Sequence, residues 1–394
     1  MQDTPISERK RITFIGRRNA GKSSLINAIT SQQVSIVSEI PGTTTDPVNK
    51  TMEFFPLGPV IITDTAGIDD IGELGELRIK RTNDILAKTD IAVIVIPSDQ
   101  NDLSIEKQLK DDLSSKNILY IVCMSKSDLY PDNQCRIAAE MKTDVCSVSS
   151  LTGNGIEDIR NLIARTGASL EKPRTILDGL CFAGSRILMV TPIDQSAPVG
   201  RMILPQVMTL RDCMDKHGIC MCVQPDELEE AALLFKPDLC ITDSQAFEQI
   251  SRTLSPDQKL TGFSILMARA KGDLSLFYRG AQAVDDLKDG NRILIAEACT
   301  HHVQKNDIGT SLIPDKLSEY TKKHLVFEKT AGEAFPEDPE GYSLFIHCGG
   351  CMLTPAAMHY RQITAAKAQI PMTNYGIILA KLSGILDRAA KWLI

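Results

Sequence analysis

The stretch GRRNAGKSS, Gly16 to Ser24, constrains this chain more than any other. It matches G-x-x-x-x-G-K-[ST] and falls between an apolar strand-like run, ITFIG, and a helix-like one, SSLINAIT. The chemistry asks for these residue types in this order. Gly16 and Gly21 let backbone N–H groups curl round a phosphate, and the following helix adds the positive end of its dipole. Lys22 then reaches the β- and γ-phosphates while the Ser23 hydroxyl binds Mg²⁺, with Asn19, Ala20 and Ser24 completing the loop. A strand, a phosphate loop and a helix are the opening of a parallel sheet wound with helices.

The next segments continue that alternation. VIITDTAG, IAVIVIPS, NILYIVCMSKSD and DVCSVSS read as short strands, separated by segments such as ELRIKRTNDILAKT with apolar residues at helical spacing. Asp64 and Gly67 close one strand, placing a carboxylate for the Mg²⁺ shell and a glycine N–H near the γ-phosphate. Thr44 and Thr45, in the polar connection IPGTTTDP, are where a switch hydroxyl closes on the metal. Lys126 and Asp128 follow a later strand, and Ser149 and Ser150 the one after. A carboxylate at Asp128 accepts from N1–H and N2–H₂ of guanine, donors that adenine does not offer there, so the expected ligands are GTP and GDP.

This set of motifs resembles the translation-factor class of GTPases, in particular the tRNA-modification and ribosome-assembly (TrmE/Era-like) GTPases. The resemblance implies slow, potassium-stimulated hydrolysis, with Asp70 taking part after Gly67 and Asn19 helping to hold K⁺ in place of an arginine finger. Two departures stand out. Ser125 occupies the position where such families usually carry Asn, and Ile68 stands where small signalling GTPases have a water-orienting Gln. Asp69 and Asp70 also fit a solvated surface loop.

A chain of 394 residues exceeds what one core usually organises. The expectation is α/β throughout, with a P-loop GTPase domain over 1–172, a smaller α/β dimerisation domain over 173–268, and a C-terminal α/β cluster-binding domain over 269–394. Lys172-Pro173 ends the first pattern, and RILMVTP, ICMCVQP and PDLCITD restart it. No apolar run approaches the roughly 20 residues of a membrane span, and the N-terminus is polar, so a cytoplasmic location is expected. A net charge of −7 speaks against broad nucleic-acid binding.

Of eleven cysteines, eight lie scattered and read as small buried hydrophobes: Cys123, Cys135, Cys146, Cys181, Cys213, Cys220, Cys222 and Cys240. The other three do not. RILIAEAC ends in Cys299-Thr300-His301, and SLFIHCGGC ends in His347-Cys348-Gly349-Gly350-Cys351. Two strand ends lying side by side bring both groups to one ion or cluster. Zinc and an iron–sulfur centre suit these ligands equally, and either histidine also fits a supporting role beside the metal.

A GTPase motif followed by C-x-H, a long gap and H-C-x-x-C resembles, over the whole chain, the HydF family of GTPase scaffolds in FeFe-hydrogenase maturation. What that implies is a 4Fe-4S cluster on Cys299, Cys348 and Cys351. The fourth iron is then open, or held by His301, His347 or an exogenous ligand, and a transient di-iron precursor is bound there for delivery. It also implies a homodimer or tetramer, radical-SAM hydrogenase maturases and apo-FeFe-hydrogenase as partners, and no membrane or nucleic acid. The rival is an RNA-modification or ribosome-assembly GTPase with a structural zinc. Acids at Glu333, Glu337, Asp338 and Glu340 in the cysteine-bearing part argue against an RNA reader.

Overall fold

A computed structural model describes residues 8–31, 48–65, 67, 85–86, 88–170, 174–193, 200–298, 308–332, 335–336 and 339–394. The chain divides into two compact units, Met1–Lys172 and Pro173–Ile394.

The first unit is built on six strands: β1 (Lys10–Ile15), β2 (Val48–Phe54), β3 (Gly58–Asp64), β4 (Ile91–Pro97), β5 (Leu119–Ser125) and β6 (Val145–Ser147). Their order is β2-β3-β1-β4-β5-β6, parallel except for the antiparallel β2–β3 pair at one edge. IAVIVIP is buried along its whole length, as a central strand covered on both faces requires. Helices α1 (Lys22–Ser31), α2 (Ser104–Ser115), α3 (Asn133–Met141) and α4 (Ile156–Ala168) supply the layers. One core joins α1 and α4 to the sheet through Leu25, Ile29, Ile159 and Ile163, and a second joins α2 and α3 to it through Leu109, Leu113 and Ile137. Because β1, β3, β4, β5 and β6 run parallel, their carboxyl ends open on one edge, where open α/β sheets bind ligands.

The second unit contains two four-stranded parallel sheets. The first orders β10-β9-β7-β8 from β7 (Arg186–Val190), β8 (Ile219–Val223), β9 (Leu239–Thr242) and β10 (Leu260–Gly262). The second orders β12-β11-β13-β14 from β11 (Arg292–Ala296), β12 (Val326–Thr330), β13 (Tyr342–His347) and β14 (Met372–Asn374). Helices α5 (Leu204–Asp215), α6 (Leu228–Phe235) and α7 (Phe247–Thr253) lie among the strands of the first sheet. In chain order α8 (Phe263–Lys271), α9 (Leu274–Gln282), α10 (Ile313–Thr321) and α11 (Pro355–Lys367) then follow. A single core runs through both sheets, joining Ile187, Met189 and Ile241 to Ile293, Ile295 and Phe345 by way of Phe263, Ile265, Leu266 and Met267 on α8. The 173–268 and 269–394 segments thus share apolar surface.

The C-terminal stretch IILAKLSGILDRAAKWLI has apolar residues at helical spacing and folds as two helices: α12 (Tyr375–Leu382) stops, Gly384 turns the chain at φ +72°, and α13 (Leu386–Ala390) restarts. Asn374 sets the start of α12, its side chain accepting from Ile377 N at 2.9 Å. The scattered cysteines are less uniform than expected. Cys123, Cys181, Cys213 and Cys240 are buried, whereas Cys135 and Cys222 are exposed. Among the described residues no helix is long and apolar enough to cross a membrane.

Candidate functional site

The phosphate loop leaves the end of β1 between β3 and β4, where Phe14 pairs with Asp64 and Ile15 with Ile94. Backbone crowds backbone there. A Cβ on Gly16 would lie 2.3 Å from the Val95 carbonyl oxygen, and one on Gly67 would lie 2.6 Å from Arg18 N, so neither position admits a side chain. Lys22, 7% exposed, donates from Nζ to the carbonyls of Gly16 and Arg17 at 2.9 and 2.8 Å. The loop is pinned from outside by Arg17, which meets the buried carboxylate of Glu106 at 2.7 and 3.2 Å. Asn19 is exposed, with φ +57°.

Ser23 Oγ lies 2.5 Å from Asp64 Oδ2, while Asp64 Oδ1 is buried with no hydrogen-bond partner. Hard oxygens from a hydroxyl and a carboxylate, one of them unsatisfied, are the donor set that Mg²⁺ prefers.

The segments expected from the sequence to read the base, Ser125–Asp128 and Ser149–Ser150, leave the same sheet edge on β5 and β6. Lys126 takes a left-handed backbone conformation (φ +53°), and Asp128, exposed, accepts from Ser149 Oγ at 2.5 Å. Ser125, 2% exposed, donates from Oγ to the carbonyl of Ala20 at 2.5 Å and lies 3.3 Å from that of Ile96. The serine at the departure from the usual pattern therefore ties the end of β5 to the Gly16–Ser24 loop. Ser150 follows Ser149 in the same turn, half-buried. Thr44, Thr45, Asp69 and Asp70 lie outside the described residues.

The cysteine-bearing strands are neighbours in the second unit. β11 pairs with β13 in parallel, Ala296 opposite His347, and Cys348 N donates to Ala296 O at 3.0 Å. One residue before Cys299, the backbone N–H of Ala298 donates to Cys348 Sγ at 3.1 Å. The strand that leads toward Cys299 thus ends beside the one that leads into His347 and Cys348. Gly350 turns the loop at φ +68°, and Leu353 N closes the turn on Gly350 O at 3.1 Å. Cys348 and Cys351 are both partly buried. Among the described residues no three His, Cys, Asp or Glu side chains converge as a metal site; Cys299 and His301 lie outside the described residues. A pair of thiols joined by a Gly-Gly turn beside a third cysteine-bearing segment fits a thiolate-bound centre.

His347 is engaged on both sides. Fully buried, it lies 2.7 Å from Arg361 Nη1 through Nε2 and 2.7 Å from Cys348 O through Nδ1. A guanidinium can only donate, so Nε2 accepts and Nδ1 carries the proton. In this geometry the lone pair that a metal would need is already used, and His347 braces the loop. Sequence reasoning missed the brace residues Lys271 and Arg361. The one available signal was that Lys271 stands three and four positions after the buried Ala268 and Met267, on an otherwise apolar helix face.

The Gly16–Ser24 loop, the Ser23–Asp64 contact and the Asp128–Ser149 contact lie on one edge of a six-stranded sheet, and residues 11–126 match the family model of the 50S ribosome-binding GTPase, which makes this a GTPase domain. Residues 176–272 match the hydrogen maturase F dimerization domain and residues 275–392 the hydrogen maturase F tetramerization domain. The chain belongs to the hydrogen maturase F (HydF) family. Among curated relatives it is 37% identical to the tRNA modification GTPase MnmE of Endomicrobium trichonymphae over 42% of this chain and 37% of that one. It is 32% identical to GTPase Der of Campylobacter concisus over 40% and 36%. The chain thus spans little more than a third of the length of these relatives. Among solved structures, the G domain of the T. maritima FeoB iron transporter aligns at 22% identity and TM-score 0.32, over 40% of this chain and 98% of that one.

Proposed function

We propose that this chain is a GTP-hydrolysing carrier in FeFe-hydrogenase maturation, holding a 4Fe-4S cluster on Cys299, Cys348 and Cys351. The observation that carries the reading is the hydrogen bond from Ala298 N to Cys348 Sγ, which sets the two cysteine segments against each other. The RNA-directed alternative loses ground because residues 176–272 and 275–392 match hydrogen maturase F domains.

At the nucleotide site, Lys22 and the N–H groups of the Gly16–Ser24 loop bind the β- and γ-phosphates. Ser23 and Asp64 would hold Mg²⁺, with Thr44 and Thr45 as candidates for its further hydroxyl ligand, and the ion would supply positive charge to the phosphates. Gly67 presents its N–H to the γ-phosphate, and Asp70 orients the attacking water. Asn19 would hold K⁺ through its amide oxygen, and the ion would supply charge stabilisation in place of an arginine finger. Asp128 selects guanine, held by Ser149, with Ser125 coupling base recognition to the loop. Hydrolysis then alters association and delivery.

At the second site a bound cluster supplies an iron coordination position where a di-iron precursor can dock and leave. The three thiolates hold the cluster, and His301 or an exogenous group completes it. Residues 173–268 associate as a dimer and residues 269–394 carry the cluster and assemble dimers further. Radical-SAM maturases load the scaffold, and apo-FeFe-hydrogenase receives from it. The test is transfer: anaerobically loaded protein mixed with apo-hydrogenase restores hydrogen evolution, and Cys348→Ala does not. Equal recovery with the variant refutes the carrier role.

A further inference from the structure

Lys271 ends α8 and is 6% exposed, an expensive place for an ammonium unless its protons are bonded. They are. Nζ reaches Gly350 O at 3.1 Å, Cys351 O at 2.9 Å and Leu353 O at 2.9 Å, three carbonyls of the cysteine loop and its exit. Charge-assisted bonds of this kind are roughly twice as strong as neutral ones. The entry to the loop is held by a second buried cation acting through an imidazole. Arg361, 2% exposed, donates to His347 Nε2 and to Gly332 O at 2.9 Å, and the other nitrogen of His347 donates to Cys348 O. From Cys348 to Leu353, the carbonyls of Cys348, Gly350, Cys351 and Leu353 are each bonded to Lys271 or to the His347–Arg361 pair.

A Cys-Gly-Gly-Cys segment is otherwise costly to order, since glycine loses more backbone freedom than any other residue. Bracing it beforehand removes that cost from metal binding. Charge adds a second consequence. Reduction makes a thiolate-bound centre more negative, and a fixed positive charge in a poorly solvated surround favours the more negative state.

We propose that Lys271 is the positioning residue of the cysteine loop, holding it in ligand-ready form and, with Arg361, raising the reduction potential of the centre bound there. The proposal rests on the cluster reading above. It assigns no ligation and no bond-making to either cation.

The experiment uses the full chain, reconstituted with iron and sulfide, and compares Lys271→Met, Lys271→Gln and Lys271→Arg with the parent. Two quantities are read: the midpoint potential by EPR-monitored titration, and the iron retained after challenge with a chelator. Removal of the charge is expected to shift the reduction equilibrium by about tenfold, 59 mV more negative for one electron, and to speed iron loss. Lys271→Arg is expected to keep the parental potential, which a merely structural lysine would not require. Gln keeps a hydrogen-bonding side chain and is read if near-UV circular dichroism shows that Met does not fold. Parental potential and iron retention in the uncharged variants overturn the proposal. If the parent takes up no cluster, the cluster reading fails separately, and Lys271 is then judged on cobalt(II) affinity. A drop of about tenfold in Lys271→Gln supports the brace, and unchanged affinity overturns it.

Discussion

Replacing Ser125 by alanine removes one hydroxyl and tests how the base-recognition strand supports the phosphate loop. The hydroxyl is 2% exposed and its acceptor, Ala20 O, belongs to a residue that is fully buried, so water cannot readily take over. Leaving a buried acceptor short of a donor costs about 1–3 kcal/mol. The second carbonyl, Ile96 O at 3.3 Å, adds little. If the bond is made only when the loop is formed, the cost falls on the loop conformation that binds phosphate. Nucleotide affinity then drops by roughly 5-fold at the lower figure and roughly 150-fold at the upper. Titration of the Ser125→Ala chain with a fluorescent GDP analogue measures this directly, with thermal unfolding of the same sample as the companion reading. A dissociation constant within twofold of the parent, with unchanged unfolding, refutes the coupling of Ser125 to the loop.

Three further outcomes follow from named contacts. Asp128→Asn presents an amide donor where guanine needs an acceptor, so GTP affinity should collapse and xanthosine triphosphate should bind in its place; competition binding decides, and retained guanine preference contradicts Asp128 as the reader. His347→Ala should leave any strong ¹⁴N coupling of the reduced cluster unchanged, because Nε2 is already bonded to Arg361; loss of that coupling in pulsed EPR would make His347 a ligand. Cys222 is exposed and its thiol is held below the usual range by the Cys220 thiol beside it, whereas burial pushes Cys213 and Cys240 up to about 12. The thiolate is the nucleophile, so Cys222 should carry the iodoacetamide label at pH 7.5 before the other two; mass spectrometry showing Cys213 or Cys240 labelled first contradicts this.

Local chemistry was legible in this sequence and long-range bracing was not. GRRNAGKSS declared its strand, loop and helix because each glycine and the lysine serve the same phosphate, and IAVIVIP declared a central strand because both of its faces are covered. The antiparallel β2 was missed although Met52 and Phe54 are buried on alternate positions, since VNKTMEF is mostly polar and pairs along one edge only. MTN, at three residues, is too short to show a period at all. The meeting of RILIA with YSLFIH followed from adjoining strand ends, but nothing near HCGGC announces Lys271, about eighty residues earlier. A periodic pattern reports which face of an element is apolar. It does not report which distant cation is buried under a loop.

Anaerobic reconstitution with iron and sulfide, followed by metal analysis and EPR after dithionite reduction, tests the central claim most directly. About four irons per chain and an S = 1/2 signal that disappears in Cys348→Ala are the predicted result. One tightly held zinc and no signal would contradict it, leaving HCGGC as a structural site on a GTPase.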